Sequence, residues 1–274
     1  MSDSGEDSRQ DPHEAETWLL RVLSVADAPL RRTQVDRHLR LVEADVAALH
    51  VDALLHRAVL GDPDASEFAL SLAEAVDRAD EDGVLGLRVE AMNLHARRHG
   101  LHGVGWFLLD PPPARQPGDR VTATREQMRE PLGVRRARAS GWHPQYLERL
   151  LHDEHPLVVE RLCANPRILP QHIMTVVTRR PTRAQVLRTV AREPRWFRSM
   201  DIRFAMASNP FGPTGLALRI LPTLSAPLQH RLMNANDVHP AVRQAACWWL
   251  EAREGRTGPA LPWREDTGRR PPSP

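Results

Sequence analysis

Val158-Val-Glu-Arg-Leu-Cys-Ala-Asn-Pro166 is a short run at helical spacing closed by an Asn-Pro break. Three further phrases share its build: Val186-Leu-Arg-Thr-Val-Ala-Arg-Glu-Pro194, Ile202-Arg-Phe-Ala-Met-Ala-Ser-Asn-Pro210 and Leu228-Gln-His-Arg-Leu-Met-Asn-Ala-Asn-Asp237. A helix this short has an apolar stripe too small to make a core by itself, so successive copies must stack and complete one another's core. The expectation is an all-α fold with a helical solenoid in the C-terminal half. Function is then expected on a surface.

Working outward, apolar periodicity places helices at about 145–152, 157–164, 171–180, 183–192, 196–208, 215–224, 227–234 and 241–253. Pro156, Pro170, Pro213, Pro227 and Pro240 fall at helix starts, where the missing amide costs least. Pro222 lies inside its helix and should kink it or end it early. Upstream, stripes such as Trp18, Leu19, Val22 and Phe68, Leu72, Val76 give four or five more helices. One should start at Ser66, and another should close on Gly100 as a C-terminal cap. Asp110-Pro-Pro-Pro113 breaks the pattern. The expected organisation is a disordered acidic tail at 1–12, a helical region at 13–109, a Pro- and Arg-rich linker at 110–141 with a short helix near Thr124 to Met128, repeats at 142–254 and a disordered tail at 255–274.

The phrases Ala164-Asn165-Pro166, Ser208-Asn209-Pro210 and His239-Pro240-Ala-Val-Arg-Gln-Ala-Ala resemble HEAT-like and leucine-rich-variant helical repeats. From Leu150 to Leu250, with Pro194-Arg-Trp196 and Leu216-Ala-Leu-Arg-Ile-Leu-Pro222, the chain is similar to a group of uncharacterised repeat proteins from GC-rich bacteria. The resemblance implies a right-handed HEAT-like α-solenoid and a binding role. It brings no catalytic residues with it.

Composition narrows the chemistry. The chain has no lysine, so all 37 basic residues are arginines. Walker-type phosphate loops, protein kinases and pyridoxal enzymes all depend on a lysine and are excluded. No cofactor is expected. Cys163 and Cys247 are the only cysteines, too few for a disulfide framework or a cysteine-based zinc site, and both are expected to be buried. Without an apolar leader or a long apolar run, the expected setting is the cytoplasm, with no membrane partner. Charge divides the chain: residues 1–110 carry 21 acids against 11 arginines, whereas residues 142–254 carry 9 against 15. Such opposite fields can dock the halves on each other, dock two molecules, or steer an acidic partner to the basic half.

Three constellations invite a chemical reading. His95, His99 and His102 have a spacing zinc can use, but Gly100 should end the helix before His102 joins the face. His152-Asp-Glu-His155 has its histidines three apart and Pro156 following, which fits a turn between helices better than a metalloprotease motif. Trp196 with Asp201, and Trp248-Trp249, are the residue types a HEAT-like DNA glycosylase would use. Packing is the simpler role for these tryptophans. The principal candidates are Arg161, Arg183, Arg188, Arg192, Arg203 and Arg231, read as a basic stripe for carboxylates or phosphates. The expected function is a non-catalytic interaction or scaffold protein whose partner has an acidic surface. DNA or RNA binding is the alternative.

Overall fold

A computed structural model describes residues 12–116, 130–141 and 143–256. Sixteen α-helices and two 3₁₀ turns carry these residues, and no strand occurs among them. The short helix expected near Thr124 to Met128 and nearly all of both tails lie outside the described residues. The chain forms two compact units, residues 1–104 and 105–274.

The first unit is built from α1 (Pro12–Leu23), α2 (Ala28–Leu41), α3 (Ala44–Val59), α4 (Pro63–Val76) and α5 (Gly83–His99), with a 3₁₀ turn at Ala79–Glu81. The beginning of α6 (His102–Leu108) also belongs to it. Helix α3 packs against α1, α4 and α5, and α2 packs against α4 and α5. Aspartates start these helices. Asp27, Asp62 and Asp82 each accept a backbone N–H from the first turn of α2, α4 and α5, which satisfies amides that a helix start leaves open. Asp52 does the same across the bundle, accepting the Val104 N–H at 3.1 Å. Part of the acidity of this half is therefore capping chemistry. Helix α4 starts at Pro63 on the Asp62 cap rather than at Ser66, whose hydroxyl donates back to the Asp62 carbonyl at 2.8 Å. Gly100 closes α5 at φ 71, the left-handed conformation expected of it.

The bundle also buries polar groups. Trp18 stacks on His38 with ring centroids 3.8 Å apart and meets Phe68 edge-on at 4.8 Å. Burial, aided by His50 and Arg21, holds the His38 imidazole down at about 4. Between α2 and α4, Arg31 lies 3.3 Å from Glu67 and Arg32 lies 3.7 Å from Glu74. Burial pushes the Glu74 carboxyl up to about 7, against the pull of Arg32, Arg78 and Arg31.

The second unit contains α7 (Leu132–Ser140), α8 (Pro144–Leu151), α9 (Pro156–Ala164), α10 (Pro170–Thr178), α11 (Ala184–Ala191), α12 (Pro194–Phe197), α13 (Met200–Ala207), α14 (Thr214–Ile220), α15 (Ala226–Met233) and α16 (Pro240–Arg253). Proline opens α9, α10 and α16 at Pro156, Pro170 and Pro240, as the helix-start reading anticipates, and also opens α8 and α12; Pro213 stands just before α14 and Pro227 is the second residue of α15. Pro222 ends α14 early: the helix stops at Ile220 and a 3₁₀ turn, Leu221–Thr223, follows. The single helix expected at 196–208 is instead two, α12 and α13, with the α13 start at Met200 following Ser199. Residues 132–140, assigned to a linker by the sequence reading, form α7 and pack on α9.

Helices two apart in the chain touch. Helix α9 lies against α7 and α11, and α10 lies against α8 and, past the single turn of α12, α13. Val158, Val159, Leu162, Ile173, Val177, Val186, Leu187 and Val190 form the seam between these layers, none more than 1% exposed. Helix α14 departs from this plan, because every residue from Gly212 to Leu224 is buried.

Two stability outcomes follow. Folded Glu74 takes up its proton at higher pH than unfolded Glu, so its effect stabilises the first unit as pH falls from about 7 towards 4.5. His38 acts oppositely, since the unfolded imidazole protonates first and stability is lost as pH falls from 6.5 towards about 4. Glu74→Gln should therefore be more stable than the parent at pH 8, by on the order of 2 kcal/mol, and equal to it near pH 5. Urea unfolding at the two pH values checks this, and a difference independent of pH contradicts it. In the second unit, Leu187→Ala should cost about 2–5 kcal/mol in the denaturation midpoint; an unchanged midpoint would place Leu187 outside the core.

Candidate functional site: a ribbed surface on the second unit

Helices α7 to α15 are only four to nine residues long. Each helix leaves its last four carbonyls without intrahelical partners, so in helices this short the open carbonyls are a large share of the backbone. Buried, they need donors. Side chains from later helices supply them.

Asn165, at the end of α9, donates from Nδ2 to the carbonyls of Ala139 and Gly141 at the end of α7, at 2.9 and 2.7 Å. Its Oδ1 accepts the Arg167 N–H at 3.0 Å. Asn209, after α13, repeats this arrangement on α10. Its Nδ2 donates to the Val177 and Arg179 carbonyls at 2.9 and 3.0 Å, and its Oδ1 accepts the Phe211 N–H at 3.1 Å. Only an amide can donate twice and accept once in that geometry. Between them, the phrase from Val186 to Pro194 has Glu193-Pro194 where the phrases of Asn165 and Asn209 have Asn-Pro, and the cap is made differently. Trp196 Nε1 donates to the Cys163 carbonyl at 2.9 Å, and Arg195 donates to the Asn165 and Ile168 carbonyls at 3.3 and 2.8 Å. Arg179 caps α8 through the His152 carbonyl.

These contacts decide which arginines remain at the surface. Arg203 is only 5% exposed and donates to the carbonyls of Phe197 and Arg198 at 3.0 and 2.9 Å. It is a helix cap and has to be removed from the proposed stripe, because a buried fork cannot meet a partner. Arg188 is half-buried with Nη2 3.7 Å from Asp110. Asp110 in turn accepts the Gly215 N–H at 3.0 Å, at a point so close that a Cβ on Gly215 would collide with the carboxylate. Arg183 is exposed, and its Nε lies 3.5 Å from Glu154, which also pairs with Arg179 at 2.8 Å. Arg231 is exposed on α15, its guanidinium 4.4 Å over the Phe204 ring of α13. Arg161 is exposed on α9, and Arg192 is half-exposed at the end of α11, the helix packed beside α9. The structure thus gathers Arg161, Arg188 and Arg192 on one helix pair, places Arg183 at the start of α11 beside Glu154, holds Arg231 on α15, and turns Arg203 inward. Glu160 and Glu193 stand next to Arg161 and Arg192 in sequence, so this surface is mixed in sign.

The remaining constellations resolve into structure. Asp153 is buried; it accepts the His155 N–H at 2.9 Å and pairs with Arg135. His155 Nδ1 in turn accepts the Leu157 N–H at 3.2 Å to open α9. The string is the connection between helices that its proline indicated. His95 and His99 stack at 4.2 Å on α5 while His102 lies beyond the Gly100 turn. Among the described residues no group of three His, Cys, Asp or Glu side chains could hold a metal. Trp196, Trp248 and Trp249 are 2%, 5% and 0% exposed, so none offers a platform for an extruded base. Asp201 is exposed in the first turn of α13. Cys163 is buried as expected, whereas Cys247 is only half-buried; burial pushes the Cys163 thiol up to about 12, and burial with Glu251 raises that of Cys247. No described helix is long and apolar enough to cross a membrane. Comparison of the chain with family models, curated proteins and solved structures gives no match.

The sequence reading marked Asn165 and Asn209 as breaks in a repeat and missed their role as anchors. The signal was available: asparagine recurs at the same place in two phrases, just where α9 and α13 stop. Asn209→Ala should cost about 1–3 kcal/mol, the penalty for buried carbonyls left unpaired. Asn209→Asp, which keeps the shape but cannot donate to a carbonyl when ionised, should cost at least as much. Unfolding midpoints of the two variants check this; an aspartate that behaves like the parent would show that the amide donor is not needed.

Proposed function

We propose that residues 142–254 form a right-handed HEAT-like solenoid and that the chain is a non-catalytic interaction or scaffold protein of the bacterial cytoplasm. Its proposed partner is a protein with an acidic surface. The observation that carries this reading is the capping of helix-end carbonyls in α7 to α10 by side chains of later helices, with Arg161 exposed on α9 and Arg192 half-exposed after α11. Repeat layers of this kind make an extended ribbed surface, and such surfaces bind. Arginine suits the task because its planar fork pairs with carboxylates in two hydrogen bonds. Nucleic acid is the less favoured occupant, because Trp106, Trp196, Trp248 and Trp249 are packed inside and stacking on single strands needs exposed rings.

Arg161 and Arg192 are the test residues, since Arg161 is exposed on α9 and Arg192 half-exposed at the end of the neighbouring α11, whereas Arg203 is buried. Partners recovered with the tagged full-length chain would be purified and titrated against the parent and against Arg161→Glu with Arg192→Glu. The double variant should keep its helical content and lose about tenfold or more in affinity, roughly 1.4 kcal/mol. Retention of every partner at parental affinity would overturn the proposed face. Binding of a short labelled duplex that falls steeply with added salt would replace it with the nucleic-acid reading.

A further inference from the structure

Helix α5 buries only Leu85, Met92 and Ala96 out of 17 residues, on the side that meets α2 and α3. Its other side is unusually apolar. Val84, Leu87 and Leu94 are 58%, 69% and 49% exposed, and Ala91 between them is exposed as well. Spacings of three, four and three align them in one stripe, the pattern of a helix that packs against a second helix. Scattered exposed leucines need no explanation, but four aligned positions on one helix do. The stripe is also charged by position. Glu81 precedes it and Glu90 flanks it, whereas Arg97 and Arg98 close it, all four exposed.

We propose that this face is a homodimer interface, in which α5 of one copy packs antiparallel on α5 of a second copy across a two-fold axis. The charge order selects that occupant and that direction. Antiparallel packing brings Arg97 and Arg98 of each copy towards the Glu81 end of the other, with Glu90 beside the middle of the stripe, and the helix dipoles oppose each other. Parallel packing would set basic end on basic end. A two-fold interface must be complementary to itself, and a helix with acid at one end, base at the other and apolar residues between meets that condition. Ala91, the smallest member of the stripe, lies near its middle and lets the two backbones approach. This interface lies on the first unit and does not depend on the partner-binding role proposed for the second.

The test is sedimentation of the full-length chain from about 1 to about 100 µM, the range expected for an interface below the standard size. The parent should dimerise with rising concentration. Leu87→Glu with Leu94→Glu should weaken the dimer at least about tenfold while leaving the melting curve in place, because both side chains already face solvent. Leu20→Glu, at an equally exposed leucine on α1, should leave the dimer intact. A charge exchange guards against simple misfolding. Arg97→Glu with Arg98→Glu, and Glu81→Arg with Glu90→Arg, should each weaken self-association, and an equimolar mixture of the two should restore a dimer. A parent that is monomeric throughout, a dimer that survives Leu87→Glu with Leu94→Glu, or a mixture no stronger than its components would overturn the proposal.

Discussion

The carbonyl groups at the ends of very short helices are the constraint on which the second unit depends. A helix of eight residues leaves half of its carbonyls without intrahelical partners, and burial forbids water from answering them. The chain answers with side chains from further along: Asn165 to α7, Arg179 to α8, Trp196 and Arg195 to α9, Asn209 to α10. Each donor sits about 24 to 33 residues after its acceptor. That interval is about the separation of the helices that touch, α7 with α9, α8 with α10, α9 with α11 and α10 with α13. Apolar packing and capping therefore join the same helices, and each cap is completed only when the later helix has formed.

The first unit solves the opposite end of the same problem. Its helices α2 to α5 run from 14 to 17 residues, and aspartates satisfy amides at the starts of α2, α4 and α5. The charge asymmetry along the chain is in part the result: carboxylates cap amides early, and arginines and asparagines cap carbonyls late. Net charge alone is therefore a poor guide to a binding face. Arg203 shows this best, since it belongs by sequence to a basic stripe and by geometry to the interior.

Helix identity was legible because apolar periodicity and proline position agreed, as at Pro156, Pro170 and Pro240. Boundaries failed where a local cap outranked periodicity. Asp62 moved the start of α4 ahead of Ser66, and the break at Arg198-Ser199 divided a run that is apolar on both sides. The linker reading failed at α7 because four of its nine residues are small and three are arginines, which leaves little stripe to read. The exposure of Arg161, Arg188, Arg192 and Arg203 was not legible at all. Neighbouring turns of a helix look alike in composition, and only the partners in the fold, the Phe197 and Arg198 carbonyls for Arg203 and Asp110 for Arg188, decide which arginine is drawn inward. The stripe on α5 was visible as spacing but not as surface, because the helix is apolar on two sides.

The direct measurement of capping between layers is amide hydrogen exchange on Asn209→Ala, residue by residue. If Asn209 joins two layers, protection should fall both around residues 207–215 and in the C-terminal half of α10, while α7 and α8 keep theirs. Loss confined to the mutated turn, with α10 unchanged, would contradict the claim that each cap is completed by a later helix.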